Sequence, residues 1–231
     1  MNRKKFLKNG LLGLGSLVAA PTLLSSCKDK DSDGGGGTNP EDCKVTPTEI
    51  AGPFPIKTPA DWVRENIIGN KAGVPLMINL KIEDINDDCK ALVGASVDIW
   101  QCDAKGNYSE YANQLDGDFT NEHFLRGRQT TNADGEVSFI SIFPGWYPGR
   151  APHLHLEIKS SSGDSLLVTQ TAFPEAISTE VYTNSAYNGN FDTSNTADGG
   201  FYNSLDDNML DEITGNLTDG FTMRKTIRVK A

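Results

Sequence analysis

The chain is poor in histidine and in positive charge. Its 231 residues include three histidines, His123, His153 and His155, so an imidazole-based site has almost no choice of ligands. Lys and Arg number 21 against 31 Asp and Glu, a formal net charge of −10. Phosphate backbones are gripped by basic surfaces, so nucleic acid is not the expected partner. No long amphipathic helical pattern and no internal repeat is present, which argues against bundles and solenoids. The one extended apolar run, Leu11 to Leu24, is short and broken by glycines, so it does not read as a membrane span.

What is present begins with that run. A basic start, Asn2-Arg3-Lys4-Lys5, precedes it, and Leu24-Ser25-Ser26-Cys27 follows. This is the form of a secretory signal peptide, and small residues before a cysteine resemble a bacterial lipobox. The expectation is a leader over 1–26, a lipid on Cys27, and a place in the bacterial cell envelope with the membrane touched only through that anchor. Arg3 to Lys8 also resembles a twin-arginine export signal with Lys at the second arginine, which leaves the export route open. Residues 28–42, KDKDSDGGGGTNPED, have no large apolar side chain and read as a flexible tether. The folded domain is expected over 43–231, long enough for one sizeable core. Three cysteines fall in it, Cys43, Cys89 and Cys102. A disulfide suits an exported chain, and three cysteines allow three pairings; positions at segment edges favour Cys43 with Cys89.

Alternating apolar and polar residues predict strands over Leu76–Ile85, Ala91–Asp103, Phe124–Thr131, Glu136–Phe143, His153–Lys159, Ser165–Phe173 and Phe221–Val229. The turn Asn132-Ala133-Asp134-Gly135 predicts one hairpin and Ser161-Ser162-Gly163-Asp164 another. Residues 174–207 are polar and read as loop with at most short helices. The fold class is therefore all-β, an antiparallel β-sandwich with long loops and few short helices.

The chemistry concentrates in Pro144 to Ile158, PGWYPGRAPHLHLEI. On a strand His153 and His155 point to one face, while Leu154, Leu156 and Ile158 point to the other and can bury. His-x-His on a strand converges two imidazoles on one point, a natural metal clamp; the plain alternative is a polar strand face. Tyr147 and Arg150 arrive beside the same strand start.

Gly52-Pro53-Phe54, VDIWQCDAKGNYSEY at 97–111, FLRGRQTTNADGEVSFISIFPGWYPGRAPHLHL at 124–156 and Thr169-Gln170 together resemble the intradiol ring-cleavage dioxygenases. The resemblance implies a β-sandwich holding one non-haem Fe(III), with Tyr108, Tyr147, His153 and His155 as ligands. Tyr147 and His153 would be axial, and Tyr108 and His155 equatorial. Arg150 falls where the family has an arginine near the substrate ring, and Gln170 where it has a glutamine close to a histidine ligand. Tyr108, in Gly106-Asn107-Tyr108-Ser109, is the ligand position, and Tyr111 is not. The implied substrates are an aromatic diol and O2, the product a muconate-type diacid, and Tyr147 the base. Phenolate oxygens are hard donors that suit a ferric ion, which fits these residue types. Two other classes stand beside this one. They are a zinc hydrolase or hydratase using His123, His153 and His155, and a surface-anchored binding module without catalysis.

Overall fold

A computed structural model describes residues 43–231. The expectations for the leader, the tether and Cys27 lie outside the described residues.

Two sheets face each other across one core. Strand β1 (Pro75–Asp84) shows why: Leu76, Ile78, Leu80 and Ile82 are buried, while Asn79 and Lys81 turn outward. The short β2 (Lys90–Ala91) follows, then β3 (Ser96–Trp100), β4 (Arg126–Thr130), β5 (Glu136–Ile142), β6 (His153–Lys159) and β7 (Ser165–Ala172). After helices α1 (Glu175–Val181) and α2 (Leu205–Asn208) come β8 (Glu212–Asn216) and β9 (Gly220–Val229). One sheet has the order β2-β1-β9-β8, with β5 also paired to β1; the other has the order β4-β3-β6-β7. Ile78, Phe139 and Met223 from the first meet Val97, Leu154 and Leu156 from the second. The all-β, two-sheet class read from the alternation is what forms, with helices few and short.

Four details depart from the sequence reading. Strands β4 and β5 are not a hairpin: β4 pairs with β3 and β5 with β1. The turn closes normally, with Asn132 N donating to Glu136 O at 3.0 Å, but the strands then part into different sheets. A tight turn fixes where the chain reverses, while the core decides which sheet receives the returning strand. The single strand expected over Ala91–Asp103 is split by a turn at Gly94, whose φ is +76°. Strand β9 runs parallel to β1, so this sheet is mixed. Strand β8 was not visible in a polar stretch, because it is an almost wholly exposed edge. The β6–β7 hairpin forms as expected, setting His155 opposite Gln170.

Cys43 and Cys89 are joined, with Cα atoms 5.9 Å apart, and Cys102 is a buried free thiol. The proline-punctuated arm after Cys43 runs across the outer face of the second sheet. Glu49 N donates to Val168 O at 2.9 Å, Arg126 Nη1 to Phe54 O at 3.0 Å, and Tyr111 Oη to Pro55 O at 2.8 Å. This arm covers the face that carries the histidines.

Candidate functional site

The β6 histidines are not a polar surface. His153 and His155 are 2% and 1% exposed. Above them lies a second apolar cluster of Trp100, Cys102, Tyr108 and Ile56, with Phe54 and Tyr147 packed on it. Trp100 stacks parallel to the His155 ring with centroids 5.0 Å apart, which fixes that ring's plane. Gly52, at φ +70°, lets the arm pass close: a Cβ there would stand 3.1 Å from His155 Cε1.

Tyr108 sits on a braced loop. The Asp103 carboxylate accepts from Lys105 N at 3.0 Å and Asn107 N at 2.9 Å, setting the turn. Arg126, fully buried, donates to Ser109 Oγ at 2.9 Å and Ser109 O at 2.6 Å, so the residue after Tyr108 cannot shift. Tyr147 comes from the Pro-Gly turn before β6 and is half-buried. Its ring centroid is 5.7 Å from that of Tyr108 and 6.0 Å from that of His153. Arg150 places Nη1 3.4 Å from the Tyr147 hydroxyl and donates through Nη2 to Gln170 Oε1 at 2.5 Å. Gln170 in turn donates to Ile50 O at 2.7 Å.

At the centre, His153 Nε2 and His155 Nε2 are 3.0 Å apart, and Tyr108 Oη is 3.4 Å from His153 Nε2. His153 Nδ1 donates to Ala151 O at 2.6 Å, which leaves a lone pair on its Nε2. His155 Nδ1 is buried with no partner. His155 Nδ1 is unpartnered in either neutral tautomer; with the proton there, the Nε2 lone pairs of both histidines face each other, and a cation between them accepts both. Nitrogen donors about 2.1 Å from one ion and at right angles are about 3 Å apart, so the spacing fits a shared metal. Burial, reinforced by the Arg150 charge, pushes His153 down to about 4, and burial with the nearby His153 pushes His155 well below its ordinary value. Both imidazoles are therefore neutral near pH 7 and free to ligate. Burial pushes the Tyr108 phenol well up, and burial also raises Tyr147 against the opposing Arg150. Two neutral imidazoles and two phenols form an N2O2 donor set that suits a hard trivalent ion once the phenol protons leave.

The structure thus brings together Tyr108, Tyr147, Arg150, His153, His155 and Gln170. His123 goes elsewhere, stacked on Trp62 at 4.1 Å with Nδ1 3.2 Å from Glu110 Oε1. Among the described residues no three His, Cys, Asp or Glu side chains gather as a metal cluster, so the zinc alternative has no third ligand. Tyr111 spends its hydroxyl on Pro55 O. Sequence reasoning missed Arg126 and Asp198. Asp198 accepts from Arg150 Nε at 2.9 Å out of a polar tail that carried no recognisable pattern.

The chain is similar to known proteins in sequence and in fold. The family model described as Dioxygenase covers residues 55–184. The protocatechuate 3,4-dioxygenase beta chain of Burkholderia cepacia is 30% identical over 113 residues, 46% of this chain and 47% of that protein. The catechol 1,2-dioxygenase of Candida albicans is 29% identical over 151 residues, 56% of this chain and 48% of that protein. The chain thus spans about half the length of the curated relatives it matches. Among solved structures, an intradiol ring-cleavage dioxygenase from Tetranychus urticae superposes with a TM-score of 0.71 at 30% identity, covering 81% of this chain and 95% of that one. The dioxygenase domain of a carbohydrate-binding fusion protein from Streptomyces sp. SirexAA-E gives 0.60 at 26% identity, covering 81% and 99%. With the tyrosine loop, the Pro-Gly turn and the His-x-His strand converging as described, the chain belongs to the intradiol ring-cleavage dioxygenase family.

Proposed function

We propose that this chain is a ferric dioxygenase that opens a catechol-type ring between its two hydroxylated carbons. Both atoms of O2 enter the product, a muconate-type diacid. The observation that carries this reading is the pair of buried, neutral imidazoles with Nε2 atoms 3.0 Å apart beneath two tyrosines. Tyr108, Tyr147, His153 and His155 would hold the Fe(III). When bound, that ion would supply Lewis acidity and an electron-accepting centre.

The chain's own residues do the rest. Tyr147 is the less buried of the two phenols; as the phenolate it would be when holding the iron, its Oη would take a proton from an entering diol and become a phenol. Arg150 Nη1, 3.4 Å from that hydroxyl, steadies negative charge there and on the ring beside it. Gln170 holds the other arm of the guanidinium. Phe54, with its ring 5.0 Å from Tyr108 and 6.3 Å from Tyr147, walls the site against water.

The test is the visible spectrum of the purified, iron-loaded protein. A phenolate-to-iron charge-transfer band should colour it red, anaerobic catechol should shift the band, and O2 should then release a ring-opened diacid detectable by mass. A colourless protein that retains stoichiometric iron overturns the reading.

The same reading divides the chain into a leader over 1–26, a tether over 27–42 and a catalytic domain over 43–231. The mature protein is then a lipoprotein anchored at Cys27 in the cell envelope. Support for this part comes from the sequence, and intact mass of a membrane fraction tests it: an unmodified N-terminus upstream of Cys27 would refute it.

A further inference from the structure

Arg150 is fixed by a segment beyond the reach of the family match, which ends at residue 184. Asp198 there is fully buried. Arg150 Nε donates to both of its carboxylate oxygens at 2.9 Å, Ala151 N donates at 2.6 Å and Gly200 N at 2.8 Å. The segment is itself anchored, since Asn195 Nδ2 donates to Phe173 O at 2.8 Å and Asn195 N to Glu175 Oε1 at 2.7 Å. Phe201 follows, buried, its ring 5.9 Å from Arg150 Cζ and 6.3 Å from the His153 ring. A guanidinium is planar, so gripping Nε sets the direction of its remaining donors. Those donors are Nη2, spent on Gln170, and Nη1, facing the Tyr147 hydroxyl. Gly200 completes the cradle: a Cβ there would press on Arg150 Nη2 and stand 3.0 Å from both its Cζ and Asp198 Oδ1.

We propose that Asp198 is the positioning residue of Arg150, its carboxylate fixing the guanidinium plane so that Nη1 faces Tyr147 and Nη2 faces Gln170. The consequence for turnover rests on the ring-cleavage reading; the orientation of Arg150 does not. The rival role is loop closure alone, since Asp198 also holds two backbone N–H groups.

The experiment uses the full chain with Asp198→Asn, Arg150→Ala and the double variant. Gly200→Ala is added as a second route, because it crowds the Arg150–Asp198 contact without removing either charge. The first readout needs neither iron nor turnover. In 15N NMR of the protein without added metal, the Arg150 Nε–H, assigned by its loss in Arg150→Ala, should exchange slowly. In Asp198→Asn it should move toward the position of free arginine and exchange fast. The second readout is steady-state kinetics on catechol with iron-loaded protein. Asp198→Asn should lower kcat and kcat/KM together by about 10–100-fold, with KM within about threefold. In the Arg150→Ala background the same change should cost under about twofold, because residues that act as a unit are not additive. Gly200→Ala should reproduce the kinetic loss. An Nε–H unchanged in Asp198→Asn overturns the proposal, as does a kcat loss of equal size with and without Arg150. An Asp198-dependent Nε–H in a wild-type protein that opens no ring supports the clamp and strikes the ring-cleavage reading instead.

Discussion

Tyr108 and Tyr111 lie three residues apart and have the same side chain, yet their surroundings separate them. Tyr108 Oη stands 3.4 Å from His153 Nε2 with no backbone acceptor, whereas Tyr111 Oη donates to Pro55 O at 2.8 Å. Replacing each with Phe should therefore have unlike effects. Tyr111→Phe loses one neutral hydrogen bond, about 1 kcal/mol of stability, and keeps iron and colour. Tyr108→Phe should lower iron retention on gel filtration. Tyr147→Phe should weaken the visible band and remove a general base, a role usually worth about 10²–10⁴-fold in rate, read as kcat on catechol. Full activity with the native spectrum in Tyr147→Phe would sink its assignment. The six candidate residues could be named from the sequence because the family resemblance rests on local patterns, namely the Gly-x-Tyr-Ser loop, the Pro-Gly turn, the His-x-His strand and Thr169-Gln170. Arg126 and Asp198 were not, because each acts on a residue distant in sequence, Ser109 or Arg150, and only the fold makes them neighbours.

At the scale of elements, β6 joins stability to the site. Its inward face, Leu154, Leu156 and Ile158, is fully buried in the core, and its outward face carries two buried neutral histidines. Folding holds His153 down to about 4, while the unfolded chain titrates near the ordinary value of about 6.5. As pH falls below the unfolded value, the unfolded state takes up the proton first. Stability is thus fully present above about pH 6.5 and is lost on descent toward pH 4, at up to about 1.4 kcal/mol per pH unit for each such histidine. Urea midpoints of metal-free protein should drop between pH 7 and pH 5, and His155→Gln should flatten the drop. An unchanged slope in that variant would refute the account. The alternation in β6 made this strand readable, whereas β8 and the sheet change between β4 and β5 were not readable. Period two tells which residues face a core; it does not tell which neighbour a strand takes or whether an exposed edge strand forms.

For the whole molecule, the arm that begins at Cys43 is as much a part of the site as the sheet beneath it. Ile50 supplies the carbonyl that holds Gln170, Gly52 lies against His155, and Phe54 packs on Tyr108 and Tyr147. The arm has no regular structure of its own, so its place depends on hydrogen bonds to β7 and β9 and on the bond from Cys43 to Cys89 at its start. A disulfide closing a loop of this kind contributes about 2–4 kcal/mol. Cys89→Ser should therefore lower the unfolding free energy by that order, read from the denaturant midpoint and slope, while leaving iron content close to wild type, since the arm keeps its other contacts. Removing 1–55 should leave two sheets with their core intact by far-ultraviolet circular dichroism, yet strip the site of Ile50, Gly52 and Phe54. That shorter chain should then lose iron and colour together. If it retained iron as well as the chain beginning at Cys43 does, the arm would be a cover for the sheet and no more.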